Sequence, residues 1–176
     1  MRFSETPLAG AFLIEIEAKV DERGFFARTW CQREFAAHGI EMEVRQCNIS
    51  VNRAKHTLRG MHYQADAHAE AKVVSCARGS IYDVIVDLRP SSPTFKRYYA
   101  VELNDDNRRM LYIPSGLAHG FETLADHTEV YYQMSSFYEP SAARGVRWDD
   151  PAFGICWPAP PQLISERDRN YAAFQG

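Results

Sequence analysis

The sequence predicts a mainly β protein: a sandwich or barrel of antiparallel strands with a few short peripheral helices. From about Asn48 onward the chain runs in short segments with two-residue periodicity. Clusters of Gly, Pro, Asn and Asp separate those segments at near-regular intervals, and only one early stretch has a convincing helical pattern.

That stretch is Gln32 to His38, a short helix in which Phe35 and Ala36 are placed to pack inward and Gly39 serves as C-terminal cap. Leu58-Arg59-Gly60-Met61-His62-Tyr63-Gln64 is strand-like, and further strands are expected at Lys72 to Cys76, Tyr98 to Leu103, Arg108 to Ile113 and Thr128 to Met134. The clearest is Tyr82 to Leu88. There Tyr82, Val84, Val86 and Leu88 share one face, and Ile81, Asp83, Ile85 and Asp87 share the other. A helix would scatter these side chains. Arg78-Gly79 and Asn104-Asp105-Asp106-Asn107 are turn signals, so the middle of the chain reads as an antiparallel meander. Pro158-Ala159-Pro160-Pro161 cannot continue a ladder, because proline lacks the N–H, and the tail after it is expected to run as a loop.

A chain of 176 residues fits one domain, here 1–176, with room for a hydrophobic core that needs no staple. Its 45% hydrophobic and 24% charged residues are those of an ordinary soluble protein. A formal charge of -3 argues against a general binder of nucleic acid or of membrane surfaces. Cys31, Cys47, Cys76 and Cys156 are far apart and form no CxxC pair, which points to reduced thiols. No signal segment or membrane-spanning run stands out, so the expected location is cytoplasmic. No glycine-rich dinucleotide fingerprint lies between a strand and a helix, and no redox cofactor is expected.

His62 is the leading candidate base, since an inward His on a barrel strand faces a pocket. A lone His of this kind is more often a buried, hydrogen-bonded packing residue. Lys72, at a strand start, reads equally as an edge charge, and Tyr132, alternating with Val130 and Met134, as a core residue. Together they fit one reaction class. Removing a proton from carbon beside a ketone needs a base, a group for the developing enolate oxygen, and an acid that returns a proton from the other face. His62, Lys72 and Tyr132 supply these in turn. Each unit of pKa mismatch costs about 1.4 kcal/mol. One oxyanion donor contributes roughly 3 kcal/mol, so several donors and a dry pocket are required.

A second histidine, His119, ends Pro114-Ser115-Gly116-Leu117-Ala118-His119, and this Pro-x-Gly-x-x-His run resembles the second conserved element of cupin barrels. Many cupins bind a metal, so a site centred on His62 and His119 competes with the base reading. The metal-binding first element would carry His-x-His, whereas this chain has His62-Tyr63-Gln64. His68 or Glu70 would have to substitute, from a stretch that reads as a loop.

The motifs together resemble a specific family, the dTDP-4-dehydrorhamnose 3,5-epimerases. The resemblance runs through Asp21-Glu22-Arg23-Gly24-Phe25-Phe26, the segment from Leu58 to Gln64, and Arg78-Gly79-Ser80-Ile81-Tyr82-Asp83-Val84. It continues in Ser92-Pro93-Thr94-Phe95, Ile113 to Phe121, and Arg144-Gly145-Val146-Arg147-Trp148-Asp149-Asp150-Pro151. It implies a metal-free, cofactor-free, cupin-like jelly roll that works as a homodimer on a nucleotide-diphosphate sugar. His62 would be the base, held by Asp168 as a carboxylate orients His elsewhere; Lys72 would stabilise the enolate and Tyr132 would donate the proton. Arg23, Phe26, Gln46, Asn48, Arg59, His119 and Tyr138 would contact substrate, and guanidinium forks suit a diphosphate. Without the resemblance, Arg23 reads as a turn residue.

Strict alternation puts Arg59 and His62 on opposite faces, so both line one pocket only if the strand bulges near Gly60. The segment Phe12 to Glu17 is placed to pair with a partner's sheet edge. Two positions depart from the family pattern: Arg28 and Ala143 stand where acids are usual. The expected activity is inversion of C3, C5 or both in a nucleotide-linked 4-keto-6-deoxyhexose. A ketoisomerase or single-carbon epimerase, a metal-dependent cupin enzyme and a non-catalytic sugar-nucleotide binding module are the alternatives.

Overall fold

The computed structural model describes residues 1–175. In chain order its elements are β1 (Arg2–Glu5), β2 (Phe12–Glu15), β3 (Lys19–Asp21), β4 (Gly24–Phe26), α1 (Gln32–Ala36), β5 (Gln46–Asn52) and β6 (Thr57–Gln64). After a single 3-10 turn at Asp66–His68 come β7 (Lys72–Arg78), β8 (Ser80–Asp87), β9 (Tyr98–Asn104), β10 (Met110–Ile113), β11 (Leu117–Thr123) and β12 (Thr128–Met134). The chain closes with β13 (Ala143–Gly145), β14 (Leu163–Ile164) and α2 (Glu166–Arg169).

The strands form two facing sheets in the manner of a jelly roll, with the β3–β4 hairpin beside them. One sheet runs β1-β2-β10-β7-β12-β5 and the other β13-β6-β11-β8-β9, with β14 added parallel to β6. Strands occupy each stretch expected to form one, but the tail after Pro161, expected to run as a loop, instead carries β14 and α2. Proline blocks only its own N–H and leaves Leu163 and Ile164 free to pair with β6. The expected meander is also wrong. Of the strands from β7 to β12, only β8 and β9 pair with a chain neighbour; β7 pairs with β10 and β12, and β8 with β11. Periodicity specifies that a segment is a strand and which face is apolar, not which strand lies beside it. The turn at Gly79 (φ +79) illustrates the crossover. A Cβ there would stand 2.5 Å from Thr128 Oγ1, so the chain passes close under β12 as it leaves one sheet for the other.

Three apolar layers result. Between the sheets lie Val74, Cys76, Leu111, Ile113 and Val130 from the first, and Ile81, Ile85, Leu103, Leu117 and Phe121 from the second. The outer face of the first sheet is covered by α1 and the N-terminal segments through Ile14, Phe35, Ile40 and Met42. The outer face of the second, including Val84 and Val86, lies under Val146, Phe153 and Trp157 from the C-terminal third. Each fully buried Leu, Ile, Val or Phe contributes about 1.5–3 kcal/mol through removal from water. Both faces of β8 therefore find apolar cover, as its alternation requires.

Within α1, Phe35 is buried but Ala36 is exposed, correcting the expectation that both pack inward. A helix of a single turn and a half presents one residue to the sheet. The cap at Gly39 holds: its N–H donates to Ala36 O and the Ile40 N–H to Phe35 O. A second correction concerns Phe12 to Glu17. β2 lies between β1 and β10, with its ladder partners supplied by its own chain, and the open edges of that sheet are β1 and β5. All four cysteines are free thiols, Cys76 buried, Cys47 and Cys156 exposed. Among the described residues no helix is long and apolar enough to cross a membrane.

At the end of β8, buried Asp87 gathers the connection to β9. Its carboxylate accepts from Arg89 Nε at 2.9 Å, Ser92 Oγ at 2.6 Å and Thr94 Oγ1 at 2.7 Å. Burial opposes the charge of Asp87, but these donors outweigh it and hold the carboxyl well below the usual carboxylate range.

Candidate active site

The inter-sheet layer is apolar at its centre and polar at one end, where a cavity of about 470 Å³ opens. Alternation aims the residues that line it. On β7, Lys72 shares the inner face with Val74 and Cys76; on β12, Tyr132 and Met134 share it with Val130; on β11, His119 lies between Leu117 and Phe121. The first sheet thus delivers Lys72, Tyr132 and Met134, and the second delivers Arg59, His62 and His119, across one cavity.

Arg59 and His62 both line the cavity because β6 bulges. His62 pairs with His119 and Arg59 with Phe121, so three steps on β6 match two on β11. Gly60, at φ +146, makes this close approach feasible: a Cβ there would lie 2.5 Å from Gly120 Cα. The neighbouring Met61 side chain points the other way and is fully buried on the outer side of the sheet.

His62 Nε2 lies 2.7 Å from Asp168 Oδ1. The second carboxylate oxygen of Asp168 accepts the Gly60 N–H at 3.2 Å, and the N-cap Ser165 hydroxyl accepts the Asp168 N–H at 3.0 Å. Burial works against the charge of Asp168, yet the His62 and Gly60 hydrogen bonds more than offset it, leaving the carboxyl below its ordinary range. With Nε2 engaged by the carboxylate, Nδ1 is the nitrogen left to work in the cavity, and the imidazole side chain is 40% exposed there. Tyr171 stands edge-on to the ring at 6.2 Å.

His119 has a carboxylate of its own, with Nε2 2.7 Å from Oδ1 of fully buried Asp83. Lys72 Nζ lies 2.8 Å from Glu70 Oε1, both largely buried. Arg59 Nε donates to Asn52 Oδ1 at 2.7 Å, which aims its fork into the cavity. Burial pushes the Tyr132 phenol above its usual pKa, with Arg59 drawing it partly back, so it stands protonated and able to donate near neutrality. Arg59, Lys72, Arg144 and Arg167 line the cavity with Glu70 as the lining acid, a wall suited to an anionic ligand.

Of the residues singled out in the sequence, His62, Lys72, Arg59, His119, Tyr132 and Tyr138 line the cavity, with Asp168 behind His62. Gln46 and Asn48 sit at its margin: Gln46 accepts the Tyr138 N–H, and Asn48 Nδ2 contacts Met134 Sδ at 3.5 Å. Arg23 and Phe26 stand elsewhere. Both lie on the exposed β3–β4 hairpin, outside their own chain's cavity; Phe26 is 73% exposed and Arg23 pairs with Asp21 at the turn. Arg28 also lies outside, 2.9 Å from Glu34, whereas Ala143 lines the cavity beside Arg144.

Sequence reasoning missed Asn52, Asp83, Arg144 and Arg167, and weighed Glu70 only as a substitute metal ligand on a loop. Asp83 carried a signal, a carboxylate on the same strand face as Ile81 and Ile85, which demands a buried partner. Glu70 stands two residues before Lys72, on the same side of an extended backbone. Gln64, in place of a second imidazole, bonds the carbonyls of His68 and Phe137 and the Glu139 N–H. Among the described residues no group of three or more His, Cys, Asp or Glu side chains is arranged to hold a metal ion.

Residues 5–176 match the family described as dTDP-4-dehydrorhamnose 3,5-epimerase. A protein of that name from Methanothermobacter thermautotrophicus is 42% identical over 173 residues, covering 97% of this chain and 92% of its own. The crystal structure of the Bacillus anthracis dTDP-4-dehydrorhamnose 3,5-epimerase, with TDP and PPi bound, superposes with a TM-score of 0.95. Its identity is 37%, and the match covers 98% of this chain and 99% of that one. A 3'-monoepimerase from Streptomyces bikiniensis, in complex with dTDP-quinovose, superposes at 0.88 with 34% identity, over 96% of this chain and 85% of that one. Sequence, fold and cavity agree, and the chain belongs to the dTDP-4-dehydrorhamnose 3,5-epimerase family.

Proposed function

We propose that this single-domain chain is an epimerase that inverts C3, C5 or both of a dTDP-linked 4-keto-6-deoxyhexose. The observation that carries the reading is His62 on one sheet, held from behind by Asp168 of α2, facing the Tyr132 phenol and Lys72 ammonium on the other. His62 takes the proton from the carbon beside the ketone; the C–H electrons form a carbon–carbon double bond and move the carbonyl pair onto oxygen. Lys72 stabilises that enolate oxygen, with a worth of roughly 3 kcal/mol for one well-placed donor. Tyr132 then protonates the same carbon from the opposite face and the ketone re-forms. Nothing is oxidised or reduced overall, so the reaction calls for no redox cofactor. Arg59 and Arg167 suit the diphosphate.

The protein is proposed to act as a homodimer in the cytoplasm. The β3–β4 hairpin exposes Val20 (79%), Phe25 and Phe26, and the open edge strand β5 exposes Ile49 and Val51 beside the cavity. A second copy would bury these apolar groups and bring a hairpin carrying Arg23 and Phe26 over the neighbouring cavity.

Incubation with dTDP-4-keto-6-deoxyglucose in D₂O tests the activity. Deuterium is expected at C3 and C5 of the product, and labelling at neither carbon refutes it. Label at one carbon assigns a single-carbon epimerase, a reading favoured by the likeness to the Streptomyces bikiniensis enzyme. Sedimentation tests the dimer.

A further inference from the structure

We propose that Glu70 is a positioning residue for this reaction, fixing the Lys72 ammonium at the cavity wall and presenting a negative charge to Tyr132. The inference rests on the epimerase reading above and adds to it a residue for which that reading has no role.

Glu70 comes from the connection after β6, yet its side chain is almost fully buried. A carboxylate is retained in such a place only if its charge and lone pairs are met. One oxygen lies 2.8 Å from Lys72 Nζ, and the other accepts the Gln64 N–H at 3.1 Å. The carboxylate is therefore held from two strands: from β6 by a backbone donor and from β7 by the ammonium it orients. Lysine has a flexible stem and three rotatable donors, so an unrestrained ammonium would spend much of its time away from the enolate oxygen. An anchored partner restricts it to one position while leaving donors for substrate.

Glu70 also lines the same cavity as the facing acid, Tyr132. Burial is the main cause that lifts the Tyr132 pKa and Arg59 works against it, while the negative charge of Glu70 adds to the lift. A proton donor must be re-protonated before each turnover, and a fixed anion nearby favours that form. The backbone of Gln64 holds Glu70, and the Gln64 side chain holds the segment from Phe137 to Glu139 that carries Tyr138. The cluster thus ties the ammonium to the wall beside Tyr138.

The test compares wild type with Glu70→Gln, which keeps the shape and removes the charge, and Glu70→Asp, which restores the charge. For Glu70→Gln, kcat is expected to fall about tenfold or more with KM within about twofold, the split that marks loss of an interaction made mainly in the transition state. The basic limb of its pH–kcat profile should move to lower pH, and Glu70→Asp should move it back. Ultraviolet titration of the Tyr132 phenol, isolated by difference from Tyr132→Phe, should show the same downward shift without substrate. An unchanged kcat and titration in Glu70→Gln overturns the proposal, as does a lowered melting temperature with the pH limb unmoved. If wild type itself shows no deuterium uptake, the epimerase reading fails, and the phenol titration still decides whether Glu70 acts on Tyr132.

Discussion

His62 Nε2 and Asp168 Oδ1 lie 2.7 Å apart across a separation of 106 residues. The contact depends on β14, which pairs parallel with the start of β6 and so returns the chain to the strand that carries His62, and on the Ser165 cap that sets the first turn of α2. Asp168 is thereby buried against the bulge at Gly60.

The first prediction concerns this pair. His62→Ala should abolish both deuterium uptake and product formation. Asp168→Asn, which keeps the volume but not the charge, should lower kcat about 10²-fold or more, since it leaves a base without its orienting carboxylate. Steady-state kinetics with the folded variants, verified by circular dichroism, measure the effect; an Asp168→Asn enzyme with wild-type kcat would remove Asp168 from the proposed site.

Acid stability follows from the depressed carboxyls. Asp87 and Asp168 both have folded-state pKa values below the ordinary 3.8. Their contribution to stability is complete above that unfolded-state value and is lost as pH falls through the lower folded-state values. Urea unfolding should give a free energy that is level in these two groups at neutral pH and declines below about pH 4. Asp87→Asn should make the acid decline shallower while lowering stability at pH 7.

Gly60→Ala places a Cβ 2.5 Å from Gly120 Cα at a φ of +146, where side chains are rarely tolerated. The expected cost is at least about 1–3 kcal/mol, and relaxation of the bulge should withdraw Arg59 or His62 from the cavity. Chemical denaturation together with isothermal titration of dTDP checks both parts. A variant of unchanged stability and affinity contradicts the bulge geometry.

Thiol chemistry distinguishes the cysteines. Burial pushes the Cys76 thiol up to about 12, with a hydrogen bond to the Arg78 backbone drawing it partly back, whereas Cys156 is exposed. Iodoacetamide at pH 8 should alkylate Cys156 and spare Cys76 until the protein is unfolded, because the thiolate is the reactive form. Peptide mass spectrometry reads the outcome, and early labelling of Cys76 would show that the inter-sheet core opens readily.

Much of the site was visible along the chain because its strands alternate. Placing Tyr132 with Val130 and Met134 aimed it inward, and noting that Arg59 and His62 fall on opposite parity required the bulge that β6 displays. The roles given to Asp168 and Tyr138 came from resemblance, since a carboxylate 106 residues from its imidazole has no local signature. Glu70 was weighed only as a metal ligand, and its pairing with Lys72 escaped notice because it lies in a connection whose burial depends on the strands around it. Arg23 and Phe26 lie on a hairpin that stands apart from the cavity of the same chain, so their proposed contact with substrate requires a second copy.

The amino-acid order by itself determined the longer strands of the middle of the chain, their apolar faces and the inward aim of Tyr132, because backbone pleating couples each residue to its second neighbour and needs nothing more distant. The partner of each strand, the bonding of Asp168 and Glu70, and the choice of which polar groups share a cavity were decided only in the tertiary structure. Those outcomes depend on contacts between segments far apart in the chain, where several pairings satisfy the same local pattern and only the packing of the whole selects among them.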